Sequence, residues 1–259
     1  PFFSLGGAAV TRAGNLYAYA VDTAGDERCT LRIKDLRTGE LLPDVVENVF
    51  YSLAFSPDGS QVFYTVVDDS WRPYQIKSHT LGTEVSADVV VYQEDDPAMW
   101  TGFELSADRR HLVIGIGCSE YSETRLLDFA HQEAGLRTVI SRDERILYEA
   151  EPFLLDGVER VLLTHNKDAV NSMVSVVDAA EFAKPLAQQR WDTVTAHDDG
   201  VRVNGTTSGP FDFSGLTAEF ARYAPDDPEC CPSRRVRVSY QVAGAGEAAV
   251  KPVSVQQLR

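Results

Sequence analysis

Hydrolytic chemistry needs a nucleophile, an imidazole and a carboxylate in reach of one another. The most recognisable arrangement, a nucleophile elbow, requires Gly-x-Ser-x-Gly on a strand-to-helix turn. The nearest strings are Gly115-Ile116-Gly117-Cys118-Ser119 and Gly205-Thr206-Thr207-Ser208-Gly209. Neither has the spacing, and no helical pattern follows either. The five histidines, His79, His111, His131, His165 and His197, are scattered, and no pair stands at the HxH or HxxxH spacing of a zinc site. His79 follows a strand-like segment and His165 ends one, positions where a hydrogen-bonded structural role is expected. Carboxylates gather at Asp68-Asp69 and at Glu94-Asp95-Asp96. Neighbouring carboxylates can hold Ca²⁺ or form an acid/base pair. Asp68-Asp69 sits where a blade turns, and Asp is favoured there for its local backbone hydrogen bonds, which is the expectation. Cys29 and Cys118 sit in strand-like contexts and are expected to be buried thiols. The adjacent Cys230-Cys231 fits a strained ring disulfide, an interchain bridge or a metal site completed from outside. These patterns assign no catalytic, cofactor-binding or metal-binding residue.

Composition excludes further classes. The 259 residues carry a formal net charge of −15, with 39 Asp+Glu against 24 Lys+Arg. Nucleic acid and anionic membranes select the opposite sign, so neither is an expected partner. No apolar run approaches the roughly 18–20 residues that span a bilayer. The chain opens on Pro1-Phe2-Phe3, without a signal peptide's charged start. The charge is uneven: residues 1–205 hold 18 Lys+Arg and 33 Asp+Glu, whereas residues 206–259 hold 6 of each. At the same place Gly205-Thr206-Thr207-Ser208-Gly209-Pro210 forms a breaker cluster. The expectation is a main domain over residues 1–205 and a small segment over 206–259, β-rich or loosely ordered.

The elements that would have to position any chemistry repeat. Polar turns at Gly14, Gly59, Arg109 and Gly157 stand 45, 50 and 48 residues apart. Each precedes a short apolar strand: Leu16–Asp22, Val62–Asp68, His111–Ile116 and Val161–His165. Second strands follow at Thr30–Leu36, Gln75–His79, Arg125–Phe129 and Met173–Asp178, the first of them alternating with Arg32 and Lys34 outward. Near-continuous apolar strands are those buried on both faces. A step of 45–50 residues carrying four strands is the pattern of propeller blades. The fold expected is all-β, a partial β-propeller of about four four-stranded blades. The best helical segment, Ala179 to Gln189, is interrupted by Pro185.

Several segments, in order, resemble the β-propeller of oligopeptidase B, a branch of the prolyl oligopeptidase family of serine peptidases. They are Asp22-Thr23-Ala24-Gly25-Asp26-Glu27-Arg28-Cys29-Thr30-Leu31-Arg32, Tyr51-Ser52-Leu53-Ala54-Phe55-Ser56-Pro57-Asp58-Gly59, and His79-Thr80-Leu81-Gly82. Glu94-Asp95-Asp96-Pro97, Ser122-Glu123-Thr124-Arg125-Leu126-Leu127-Asp128 and Leu162-Leu163-Thr164-His165-Asn166 continue the likeness through about residue 205. Two departures are Cys29, where the family commonly has an aromatic, and Thr11-Arg12-Ala13-Gly14, where it has Ser-Pro-Asp-Gly. The resemblance implies a propeller that caps an α/β-hydrolase domain and admits only short peptides. That hydrolase domain, with its Ser-Asp-His triad and acidic pocket for Arg or Lys, is missing from these residues. The implied partners are therefore that domain and short basic peptides, which the carboxylates Glu94, Asp95 and Asp96 would attract. The implied location is cytoplasmic, with no cofactor. Residues 223–240 resemble the C-termini of LppP/LprE-type lipoproteins, which points instead to export. A non-catalytic interaction scaffold and a chimeric or truncated product without activity are the alternative expectations.

Overall fold

The computed structural model describes residues 2–155, 157–167, 173–184, 186–189, 192–194, 203–207, 217–222, 233–243 and 249–258. The chain divides into two compact units. One comprises Pro1–Ser119 with Glu123–Thr138, the other Glu120–Ser122 with Val139–Arg259. Every sheet is a four-stranded antiparallel meander, and there are five among the described residues.

The first unit holds three sheets. Sheet A is β1 (Ser4–Val10), β2 (Leu16–Asp22), β3 (Cys29–Asp35) and β4 (Leu41–Val49). Sheet B is β5 (Leu53–Phe55), β6 (Gln61–Val67), β7 (Pro73–Thr80) and β8 (Val89–Gln93). Sheet C is β9 (Trp100–Leu105), β10 (His111–Gly117), β11 (Ser122–Asp128) and β12 (Arg137–Thr138). The first strands lie side by side, β1 next to β5 and β5 next to β9. This is the arrangement of blades around an axis.

The burial pattern explains the apolar runs. Ala18, Ala20, Leu31, Ile33 and Val46 of sheet A form one core with Phe55, Val62 and Tyr64 of sheet B. Between Val62 and Tyr64 on β6, Phe63 points the other way and packs its ring on Phe103 of sheet C and on Phe129, the residue after β11, with centroids 6.5 and 5.7 Å apart. β6 is thus covered on both faces, so it reads Val-Phe-Tyr without polar interruption. On β3, Arg32 is exposed and Leu31 and Ile33 are buried, as the alternation requires.

The second unit holds sheet D, β13 (Tyr148–Leu155), β14 (Val158–His165), β15 (Met173–Asp178) and β16 (Asp192–Val194). It also holds sheet E, β17 (Val203–Thr207), β18 (Thr217–Arg222), β19 (Arg234–Ala243) and β20 (Ala249–Leu258). β17 spans the position where the composition changes, and its last three residues are Gly205, Thr206 and Thr207. Ala179 to Gln189 forms two short 3-10 segments, Ala179–Ala183 and Leu186–Gln188, in place of one helix. Cys230-Cys231 and His197 lie outside the described residues.

In sheets A, B and C the repeated turn has one construction. Ser56 Oγ accepts from the Gln61 N–H at 3.0 Å and donates to Asp58 at 2.6 Å, while the Gly59 N–H donates to the Ser56 carbonyl. In sheet C, Ser106 Oγ accepts from His111 N–H at 3.0 Å and donates to Asp108 at 2.7 Å. In sheet A, Thr11 Oγ1 accepts from Leu16 N–H at 3.1 Å and Asn15 stands in for the aspartate. Thr11 therefore does the work of serine in this departure from the Ser-Pro-Asp-Gly form. The four aligned positions all have left-handed backbone: φ is 70° at Gly14, 75° at Gly59, 58° at Arg109 and 77° at Gly157. Arg109 is the one that bears a side chain. A left-handed L-residue costs about 1–2 kcal/mol, and glycine's extra freedom in the unfolded chain offsets about 0.4–1 kcal/mol of the relief. Arg109→Gly is thus expected to stabilise the protein by about 0.5–1 kcal/mol. An unchanged or lower urea midpoint would contradict this.

Candidate functional site

Strand direction brings one set of connections to one end of the first unit. Ser4 pairs with Asp22 and Cys29 with Val49, so β1 starts where β2 and β4 end. Val67 pairs with Pro73, Gln75 with Gln93, and Trp100 with Gly117. Residues 23–28, 50–52, 68–72 and 94–99 consequently share this end with Phe2 and Phe3. All five exposed aromatic side chains among the described residues stand here. They are Phe2, Phe3 (72% exposed), Tyr51, Trp71 and Trp100 (56% exposed). The opposite end carries the Ser/Thr turns and no exposed aromatic among the described residues.

The loop from β2 to β3 is organised by the carboxylate of Asp22. It accepts from Ala24, Gly25 and Glu27 N–H groups at 2.8, 2.7 and 2.9 Å. Burial opposes its ionisation, but the N–H groups of Gly25, Glu27 and Ala24 outweigh it and hold the carboxyl below its ordinary value. A depressed folded value means that this contribution to stability is full above the ordinary carboxylate range and is lost as pH falls through the lower value. Asp22→Asn should therefore lower the denaturant midpoint at neutral pH, with the gap to the parent protein closing below the reference value of 3.8. A gap as wide in acid as at neutrality would refute the assignment. The same carboxylates act on their neighbours. Burial, then Asp22, Asp26 and Glu27, raises the Cys29 thiol, and burial, then Glu27, raises the Tyr51 phenol.

Trp71 crosses from sheet B to this loop. Its indole Nε1 donates to the Asp26 carbonyl at 3.1 Å, and the Arg28 guanidinium lies over the ring at 4.5 Å. Both Trp71 and Glu27 have left-handed backbone, φ 60° and 62°. Strain of this kind in non-glycine residues gathers where structure holds a surface for function.

Arg72, beside Trp71, is turned inward. Its Nε donates to Asp68 at 2.9 Å, and its Nη1 donates to the carbonyls of Glu94, Asp96 and Met99 at 3.2, 3.0 and 3.0 Å. One guanidinium thus ties the turn at 68–72 to the connection between sheets B and C. The Asp68 carboxyl lies below its ordinary value: burial opposes this, and the N–H groups of Arg72 and Ser70, then the Arg72 guanidinium, prevail.

Each acidic residue singled out from sequence now has a place. Asp68 accepts from Ser70 and Arg72 N–H groups, as a turn aspartate does. Glu94 is buried and accepts from the Tyr92 hydroxyl at 2.6 Å and from Asp96 N–H at 2.9 Å. Asp96 accepts from Ala98 N–H. Glu94 and Asp96 thus serve the turn itself, and Asp69 and Asp95 are the exposed members of the two clusters. Among the histidines, His79 and His111 are fully buried, His165 bonds Ser175 Oγ at 2.9 Å, and His131 is exposed beside Asp128. The Asp128 hydrogen bond holds the His131 imidazole above its ordinary value. No group of three His, Cys, Asp or Glu able to hold a metal ion occurs among the described residues. Cys29 is buried, whereas Cys118 is half-buried, more open than its strand-like context predicts. Gly115 and Gly117 belong to β10, which leads to β11, so no strand-to-helix turn exists there. Sequence reasoning missed Arg28, Trp71 and Arg72. The one local signal was the Asp68–Arg72 spacing, since the carbonyl partners lie more than twenty residues further on.

Comparison with known proteins agrees with this architecture. The chain is 32% identical over 206 residues to dipeptidyl aminopeptidase BI of Pseudoxanthomonas mexicana, covering 79% of this chain and 27% of that protein. It is 33% identical over 156 residues to protease 2 of Moraxella lacunata, covering 60% of this chain and 22% of that protein. Oligopeptidase B of Trypanosoma brucei, in a closed form with covalently bound antipain, superposes over 100% of this chain and 33% of its own. The TM-score there is 0.74 and the identity 25%. The chain therefore spans about a fifth to a third of the length of these relatives. The model of the prolyl oligopeptidase N-terminal β-propeller domain matches residues 1–210, and the chain, built of blade-type meanders, belongs to that family.

Proposed function

We propose that this chain is propeller from an oligopeptidase B-like serine peptidase, and that it gates the access of short peptides to a hydrolase domain carried by further polypeptide. The observation that carries this reading is the confinement of every described exposed aromatic to one end of the first unit. A surface so rich in aromatic area ordinarily marks an interaction site. Exposed carboxylates at the same end, Asp69 and Asp95, suit peptides bearing Arg or Lys. The chemistry itself belongs to the hydrolase domain, and the propeller contributes selection by size and charge. A cytoplasmic setting is part of the proposal.

Two measurements test it. The purified chain should neither hydrolyse Arg or Lys esters nor react with a serine-directed covalent probe. Turnover or labelling would overturn the reading. In a hybrid in which this chain replaces the matched segment of the Pseudoxanthomonas mexicana relative, Trp71→Ala with Trp100→Ala should change the ratio of kcat/KM for long against short basic peptides. Hydrolysis of a small ester should stay as it was. An unaltered ratio would favour a scaffold without a gating role.

A further inference from the structure

The imidazole of His79, on β7, is 0% exposed and is used by nothing described so far. Its Nδ1 lies 2.7 Å from Asp88 Oδ1, and its Nε2 lies 3.1 Å from Asp44 Oδ1. Asp44 belongs to β4 of sheet A, and Asp88 precedes β8 of sheet B. Their side chains are 3% and 1% exposed. Asp88 accepts a second hydrogen bond from the Tyr64 hydroxyl of β6 at 2.7 Å, and Asp44 accepts another from the Gly82 N–H at 2.5 Å. Among the described residues no Lys or Arg pairs with either carboxylate, so the ring is the one basic group that bonds them.

With both carboxylates ionised, the hydrogen count selects one state of the ring. A neutral imidazole has one N–H and one lone pair. Between two carboxylates, it would set that lone pair against an anionic oxygen in a site closed to water, where an unmade hydrogen bond to a charge is costly. A ring with both nitrogens protonated satisfies both acceptors. We infer that His79 is held as an imidazolium, so that a buried proton joins sheet A to sheet B as a structural part of the fold. The seam between these sheets is then tied at both ends: by Trp71 on Asp26 at the aromatic end, and by His79 at the end of the Ser/Thr turns. The charges facing the ring come from β4 and from the residue before β8, and Tyr64 of β6 is the other titratable neighbour. Burial, then Asp88, raises the Tyr64 phenol, so it remains a donor.

The test is ¹⁵N NMR of the histidine-labelled chain in neutral buffer, with the His79 signals assigned against His79→Gln. Both ring nitrogens should carry hydrogen and exchange slowly. A lone-pair nitrogen at His79 would overturn the inference. In Asp44→Asn the amide can donate where the carboxylate accepted, and the ring should change to a single N–H. A ring that kept both hydrogens in that variant would show that the carboxylate pair does not govern its protonation. If this variant does not fold, the parent spectrum alone decides.

Discussion

Arg72→Met is expected to destabilise the first unit by about 3 kcal/mol, the upper end of the cost of leaving buried polar groups without their hydrogen-bond partner. The Arg72 side chain is 12% exposed, so most of its four hydrogen bonds are closed to water. Methionine fills much of the same volume, which isolates the loss of the guanidinium from the creation of a cavity. The variant leaves the Glu94, Asp96 and Met99 carbonyls without their donor and leaves Asp68 without its counter-charge. Arg72→Lys should recover only a minor part, because an ammonium is a point charge and cannot fork between a carboxylate and three carbonyls. Urea unfolding followed by circular dichroism measures both. A loss below about 1 kcal/mol for Arg72→Met, typical of an exposed pair, would show that the loop finds other donors.

Gly7→Ala should cost about 3 kcal/mol, at the upper end of overpacking effects. The cause is space: φ at Gly7 is not in the left-handed region, but a Cβ there would strike the carbonyl oxygen of Tyr51, with Leu53 Cγ a further 3.4 Å neighbour. Backbone cannot swing aside as a side chain can, so β1 would have to part from the start of β5, the place where first strands meet. Gly6 is less severe: its Cβ would meet Cys29 Sγ at 2.5 Å and the Tyr51 ring, both of them side-chain atoms. Gly115→Ala serves as the control, since nothing lies within 4 Å of a Cβ there. It should fall within about 0.5 kcal/mol of the parent protein. Equal effects at Gly7 and Gly115 would refute the steric argument.

Local physics made much of the fold readable from sequence. The left-handed turn at Gly14, Gly59 and Arg109 depends on residues within five positions of one another, and so does the Ser/Thr side chain that closes it. Strand periodicity is likewise local: Arg32 and Lys34 alternate with buried neighbours, and Val62, Phe63 and Tyr64 run unbroken because sheets lie on both sides. The turn role of Asp68 followed from short-range hydrogen bonding.

What tertiary structure alone decided are the meetings of residues distant in the chain. Trp71 reaches a carbonyl 45 residues earlier, Arg72 a carbonyl 27 residues later, and His79 a carboxylate 35 residues earlier. No pattern along the chain encodes those pairs, because each depends on how one sheet is seated on the next. The segregation of the exposed aromatics is of this kind too. Phe2, Tyr51, Trp71 and Trp100 are spread across a hundred residues, and only antiparallel pairing, which returns alternate strand ends to the same side, gathers them on one surface.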